Sequence, residues 1–65
     1  MNWYVHLSVN SSLSVVGPFD EKGARDTAEM MVEIRNSQGY GLSKVNETLW
    51  QSATHRVEIQ VKEGK

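Results

Sequence analysis

The stretch Val15-Val16-Gly17-Pro18-Phe19-Asp20 determines much of the architecture, because it is predicted to end a strand, make a turn and start a helix. Proline has no N–H for a sheet ladder and glycine tolerates a bend, so the strand is predicted to end at Gly17 and Pro18. Asp20 is placed to cap the helix by accepting from the free amides of its first turn. Phe19 precedes this cap, where an apolar side chain folds back on the helix as half of a hydrophobic staple.

The helix is predicted from residue 20 to about residue 38. Gly23 costs roughly 1 kcal/mol against alanine inside a helix, which indicates either a loose first turn or close packing. Gly39 is predicted to end the helix as a left-handed cap. Met30 and Val32 flank the apolar face, with Val32 pointing away from it, and both are candidates for the border of an interface. The apolar face itself follows the helical period and comprises Ala24, Thr27, Ala28, Met31 and Ile34.

Three segments are predicted as strands in addition to the strand that ends at Gly17 and Pro18. Residues 3–9 alternate with period two, and Asn10-Ser11-Ser12 is a polar break that closes a hairpin with a second strand over about 12–17. Leu13 and Val15 continue the apolar phase. Residues 42–50 are interpreted as an irregular or edge strand, 51–54 as a turn, and 55–62 as the last strand, followed by a polar tail.

The elements combine into a ββαββ arrangement over a single domain, residues 1–65. We therefore predict an α+β fold with a small antiparallel sheet and one helix packed on one face. The helix is expected to cover Trp3, Val5, Leu7, Val15, Val57 and Ile59. The other face of the sheet is left uncovered and is expected to present Tyr4, His6, Val16, Arg56 and Gln60.

Composition narrows the classes of function. The chain has 65 residues, no cysteine and a formal net charge of −1, which favours neither nucleic acid nor an anionic membrane as a ligand. His6 and His55 lie far apart without a thiol, so neither a metal nor any other cofactor is predicted. No nucleophile has a base at a motif spacing, so no catalytic residue is predicted and an enzyme is not expected. Without a signal sequence or membrane span, a cytoplasmic protein is expected. A core this small favours oligomerisation, so a homodimer is among the expected partners.

The back of the helix carries a row of carboxylates at Asp26, Glu29 and Glu33. One hypothesis is that this row imitates nucleic-acid phosphates and occupies a basic groove on another protein. The alternative is an ordinary solvated face, neutralised by Lys22–Asp26 and Arg25–Glu29 pairs at i,i+4 spacing.

The uncovered sheet face offers a second candidate site. Tyr4 and His6 beside Arg56 resemble the platforms on which single-stranded nucleic acid stacks, although a protein partner or a twofold mate fits this slightly acidic chain better. Trp50 is a further candidate, either as an exposed interface anchor or as a core residue beneath the last hairpin.

Residues 15–28 resemble two groups of proteins. Val16-Gly17-Pro18-Phe19, the helix alanines and Gly39-Tyr40 match the outline of the sporulation-related repeat domain, a glycan-binding module that has two helices. The same hairpin, Gly-Pro-Phe-Asp turn and single helix are similar to short phage and mobile-element proteins, among which anti-CRISPR inhibitors are a well-known group. The second resemblance implies a cytoplasmic protein that binds and inhibits a host protein complex. The alternatives are a sheet-face module for protein, glycan or single-stranded nucleic acid, and a self-associating accessory protein.

Overall fold

In the computed structural model, which describes residues 2–64, one helix lies across one face of a five-stranded sheet. Neighbouring strands are all antiparallel, in the order β2-β1-β5-β4-β3. The predicted α+β class, with one helix packed on a small antiparallel sheet, is confirmed. Along the chain the elements are β1 (Asn2–Val9), β2 (Ser12–Phe19), α1 (Glu21–Ser37), β3 (Leu42–Asn46), β4 (Leu49–Ser52) and β5 (Val57–Gly64).

Residues 42–50 contain two strands, so the single irregular strand predicted there is wrong. Asn46 reverses the chain, because its Oδ1 accepts a hydrogen bond from the backbone N–H of Thr48 at 2.9 Å. The register between β3 and β4 also shifts between Lys44 and Asn46. This local turn divides the segment into β3 and β4, and it changes the order of elements to ββαβββ.

The first hairpin turns on two residues, Asn10 and Ser11, which have φ values of 49° and 76°. Positive φ at both central residues is typical of the tight turn that matches strand twist, and it pairs Val9 with Ser12. The predicted three-residue break is therefore wrong. A register shifted by one residue moves every side chain of the strand to the opposite face.

This register reverses the orientation predicted for the apolar residues of β2. Val15 lies opposite His6 on the face without a helix, and Leu13 shares that face. The two side chains are 51% and 63% exposed, so the prediction of Val15 in the core is wrong. Val16 lies opposite the buried Val5 on the helix side, so its predicted place on the uncovered face is also wrong.

A bulge near Gly17 returns the end of β2 to the predicted phase. One residue separates Trp3 from Val5 in β1, whereas two separate Val16 from Phe19 in β2, so β2 contains the extra residue. Gly17 has a φ of 144°, and a Cβ there would lie 2.9 Å from the carbonyl oxygen of Trp3. The strand consequently continues past the predicted stop to Phe19, which lies opposite Trp3 and packs against the core.

The helix begins where the sequence predicts. The side chain of Asp20 accepts a hydrogen bond from the backbone N–H of Gly23 at 2.6 Å, which confirms the N-cap. A Cβ on Gly23 would lie 2.8 Å from Oδ1 of Asp20 and 3.5 Å from Cβ of Phe19. Close packing by these two neighbours therefore accounts for the glycine in the first turn.

The helix also ends as predicted, at a left-handed glycine. Gly39 has a φ of 91° and donates its N–H to the carbonyl of Asn36 at 3.0 Å. The N–H of Tyr40 donates to the carbonyl of Arg35 at 3.2 Å. These two bonds form a Schellman motif and satisfy carbonyls that the last turn would otherwise leave free.

The face of α1 that meets the sheet is rotated from the predicted face. Ala24 and Ala28 are fully buried, and their small side chains let the helix lie close to the strands. Met31 and Val32 pack partly buried against the core, while Ile34 remains 49% exposed. The helix is rotated so that Val32, and not Ile34, packs against the core beside Ala24 and Ala28. The predicted burial of Ile34 and the predicted outward direction of Val32 are therefore both wrong. The buried core comprises Val5, Leu7, Ala24, Ala28, Leu42, Trp50, Val57, Ile59 and Val61.

Candidate interaction surfaces

The acidic residues of α1 project from the side of the helix that faces away from the sheet. Asp26, Glu29 and Glu33 are all exposed. At 100° per residue they fall within about 60° of one another, opposite the buried Ala24 and Ala28. The structure thus brings the three predicted carboxylates onto one surface, which we call the outer helix surface (Lys22, Asp26, Glu29 and Glu33).

One carboxylate of the outer helix surface is neutralised by a neighbour. The ammonium of Lys22 donates a hydrogen bond to Oδ2 of Asp26 at 2.8 Å, as predicted from the spacing. This hydrogen bond and the charge of Asp26 raise the pKa of Lys22 above its ordinary value. Asp26 therefore contributes less to the negative field of this surface than its position alone would suggest.

The predicted Arg25–Glu29 ion pair is wrong. Arg25 turns toward the sheet side of the helix, where its guanidinium lies 3.9 Å from Glu21 and 3.3 Å from Glu47 in the β3–β4 turn. Among residues 2–64, Glu29 and Glu33 consequently form no ion pair or side-chain hydrogen bond. These two carboxylates are the uncompensated charges of the outer helix surface.

The sheet face opposite α1, which we call the open face, brings together only part of the second predicted site. Tyr4 and His6 project from this face of β1, with His6 opposite Gln60 of β5. Arg56 lies in the connection before β5, four residues from Gln60, which places it about 13 Å along the sheet from His6. Tyr4 and His6 are therefore neighbours, whereas Arg56 lies at the far end.

Tyr4 is packed more tightly than its place on an uncovered face suggests. Its ring lies against glycines on both neighbouring strands, since a Cβ on Gly17 would lie 2.8 Å from Cδ1 of Tyr4 and a Cβ on Gly64 would overlap the ring. An aromatic ring over strand glycines covers backbone that has no side chain of its own. Tyr4 is half-buried and helps to hold β2, β1 and β5 together.

Leu13 and Val15 also lie on the open face, where the sequence did not predict them. The alternation predicted Val15 in the core and Leu13 in the same apolar phase, yet the two-residue turn places both on the open face. The available signal was Asn10, a residue type that tolerates positive φ, but the following Ser11 is not a typical partner for it. The part of the open face formed by β2 is therefore apolar, whereas the parts formed by β1 and β5 are polar.

Trp50 is a core residue, and its prediction as an interface anchor is wrong. It lies opposite Ile59 on the face covered by α1 and is only 5% exposed. The ammonium of Lys44 lies 5.9 Å from the centre of its ring, within the range of a cation–π contact. The alternative interpretation, closure of the core beneath the last hairpin, is the correct one.

A polar depression of about 580 Å³ lies at the end of the open face, beside the 53–56 connection. Its lining includes Ser8, Thr54, Arg56 and Glu58. Within residues 2–64, no three His, Asp or Glu side chains are grouped so that they could hold a metal ion.

Comparison with protein-family models, with curated proteins and with solved structures finds no match to this chain. Over the described part of the chain, no helix has the length and apolar character needed to cross a membrane.

Proposed function

We propose that this chain is a non-enzymatic binding protein that inhibits a host protein complex by occupying a basic, nucleic-acid-binding surface. In its most specific form the proposal is an inhibitor of the anti-CRISPR type, acting in the cytoplasm of the host cell. The observation that carries it is the pair of uncompensated carboxylates, Glu29 and Glu33, on the outer helix surface. The likeness of the hairpin and Gly-Pro-Phe-Asp turn to short phage proteins supports the same class.

Glu29 and Glu33 suit a guanidinium-rich partner for a physical reason. They stand one turn apart, about 6 Å along a helix that is capped at both ends. Like charges at this spacing destabilise an isolated helix by about 0.2–0.5 kcal/mol, and a cationic partner relieves that repulsion. Arginines in phosphate-binding grooves bind carboxylates with the same paired hydrogen bonds.

Interference assays test the inhibitor class first. The protein is expressed in bacterial strains that each carry one type of CRISPR system, and the plating of a targeted phage is measured. We expect plating to be restored in at least one strain. If plating is restored in none, the anti-CRISPR form of the proposal is rejected.

Charge reversal then tests the surface. The double variant E29K/E33K should weaken binding to the inhibited complex at least tenfold, which is about 1.4 kcal/mol, with an unchanged circular dichroism spectrum. E63K is the matched control, since Glu63 is an exposed glutamate on β5 and not on the outer helix surface. Equal binding by E29K/E33K and E63K would reject the outer helix surface as the contact.

Lys22 allows a test with the opposite sign. K22Q removes the ammonium that neutralises Asp26, so it should raise the association rate, by about two- to fivefold at low salt. Reversing Asp26 in the K22Q background should remove this gain. A slower association of K22Q would contradict an acidic contact surface.

The second candidate is a binding module that uses the open face, favoured by the uncovered Tyr4 and His6 and the apolar Leu13 and Val15 beside them. Backbone amide shifts of β1 and β2 are measured while oligopeptide, oligosaccharide or single-stranded DNA is added. Saturable shifts that H6A removes would support this module over the outer helix surface. No shift with any of the three ligand classes would reject it.

A further inference from the structure

The two edges of the sheet differ in how they are protected. Edge strands attract unwanted pairing, which bulges, short length and lysines prevent. The β3 edge is five residues long, contains Lys44 and has a register shift next to Val45. The β2 edge has none of these devices in Ser12–Val16, a stretch without a charge, a proline or a bulge.

Exposed apolar side chains gather on the unprotected edge. Arg25 contacts Glu47 and Asn36 contacts Leu42, so one flank of α1 faces β3 and its turn. The opposite flank, near 180° away around the helix, therefore faces β2. Among residues 2–64, five of the six large apolar side chains that are exposed lie on β2 or on this flank: Leu13, Val15, Val16, Met30 and Ile34.

The backbone of β2 is oriented for further pairing. In the tight turn at Asn10 and Ser11, the N–H of Ser12 points to β1, toward the carbonyl of Val9. Hydrogen-bonding direction alternates along a strand, so the N–H and C=O groups of Leu13 and Val15 point outward from the sheet. Two residues on this edge thus offer two donors and two acceptors to another strand.

We propose that the β2 edge binds the β2 edge of a second copy, antiparallel about a twofold axis at Ser14. In this register Leu13 of each copy lies opposite Val15 of the other, which joins all four outward donors to acceptors. Pro18 cannot donate and Gly17 begins the bulge, so the available stretch is Ser12–Val16, and centring on Ser14 overlaps all of it.

A second copy fits this edge better than an unrelated strand because the stretch is self-complementary. It has no charge that would require an opposite charge on the partner. On the open face, each contact pairs a leucine with a valine, and on the other face Met30 and Ile34 of both copies flank the joined strands. An interface near the lower limit of about 1,000 Å² is expected to dissociate on dilution.

The dimer has a geometric consequence for the rest of the molecule. The joined sheets form one ten-stranded sheet, and the twofold axis is perpendicular to it. Both helices then lie on the same side, so the outer helix surfaces of the two copies face the same way. The proposed dimer does not depend on the proposed function, because the β2 edge and the outer helix surface are different parts of the molecule.

Sedimentation equilibrium tests the association. The weight-average mass should rise with concentration from 7.3 kDa toward twice that value. V15K should remain monomeric at concentrations where the parent chain is dimeric. V45K is the matched control on the other edge, where Val45 is 55% exposed, and it should dimerise like the parent. A monomeric parent chain at millimolar concentration, or equal dimerisation of V15K, overturns the proposal.

Single cysteines test the register, because the chain has no cysteine of its own. Ser14 lies in a non-hydrogen-bonded pair across the axis, where Cα atoms are about 4.5 Å apart, within the range that a disulfide spans. S14C should therefore form a disulfide-linked dimer under mild oxidation. In S12C the two thiols lie about 13 Å apart, and cross-linking should be at least tenfold slower. Equal rates for S14C and S12C, or faster linkage of S12C, would refute this register.

Discussion

Asn36 connects the last turn of α1 to β3 through two hydrogen bonds, and their loss determines how much the free energy of unfolding should change in N36A. Its Oδ1 accepts from the backbone N–H of Leu42 at 2.5 Å, and its Nδ2 donates to the carbonyl of Leu42 at 3.1 Å. Leu42 is only 6% exposed, so water replaces these partners poorly. Each bond contributes about 0.5–1.5 kcal/mol net. Alanine regains up to about 0.7 kcal/mol in helix propensity. N36A should therefore lower the free energy of unfolding by about 1–2 kcal/mol.

Thermal unfolding followed by circular dichroism measures this loss. For a domain of this size, about 1–2 kcal/mol corresponds to a fall in Tm of roughly 5–15 °C. The comparison is made at one protein concentration, because self-association would also shift Tm. The control is S37A, which removes the exposed hydrogen bond from Ser37 Oγ to the carbonyl of Ile34 and should cost less than about 0.5 kcal/mol. If N36A and S37A unfold at the same temperature, the side chain of Asn36 does not hold β3 as described.

Three further substitutions test other parts of the fold by urea denaturation. D20A removes the N-cap and should cost about 1 kcal/mol, whereas D20S should retain most of that stability; equal losses would contradict capping. W50A should cost about 3–5 kcal/mol, because Trp50 is in the core; a loss below 1 kcal/mol would restore it as a surface residue. G17A should cost more than G41A, since both glycines have positive φ but only a Cβ on Gly17 meets other atoms; a larger loss for G41A would contradict the close packing at the bulge.

The helix was predictable because its signals are local. Asp20 caps it through a neighbour three residues away, and Gly39 ends it through its own backbone conformation. Neither feature depends on the rest of the chain. The alternation of residues 3–9 and of residues 57–61 was sufficient in the same way to predict β1 and β5 with their correct faces.

The orientation of β2 was not predictable from alternation, because it depends on the length of one turn. A serine at position 11 with positive φ is uncommon, and it makes a two-residue turn where the polar run indicates three. The turn therefore places Val15 on the open face and Val16 on the helix side of the sheet, which is the reverse of the prediction. The bulge at Gly17 then restored Phe19 to the predicted side, so the error did not spread to the helix.

The sequence correctly predicted the position of the carboxylates on the outer helix surface, but it did not predict which of them are neutralised by ion pairs. The helical period correctly grouped Asp26, Glu29 and Glu33. Spacing also suggested that Arg25 would neutralise Glu29, whereas tertiary structure supplies Glu47 as a competing partner from a turn that follows the helix. A contact over 22 residues cannot be deduced from i,i+4 geometry.

Competition with nucleic acid tests the proposed function most directly. A complex that the interference assays identify as inhibited is purified, and its binding to a labelled nucleic acid is measured by mobility shift as the protein is added. The parent chain should displace the nucleic acid stoichiometrically, E63K should act like the parent, and E29K/E33K should displace it only at a concentration at least tenfold higher. If the protein binds the complex while the nucleic acid stays bound, or if E29K/E33K competes as well as E63K, Glu29 and Glu33 do not occupy the nucleic-acid site.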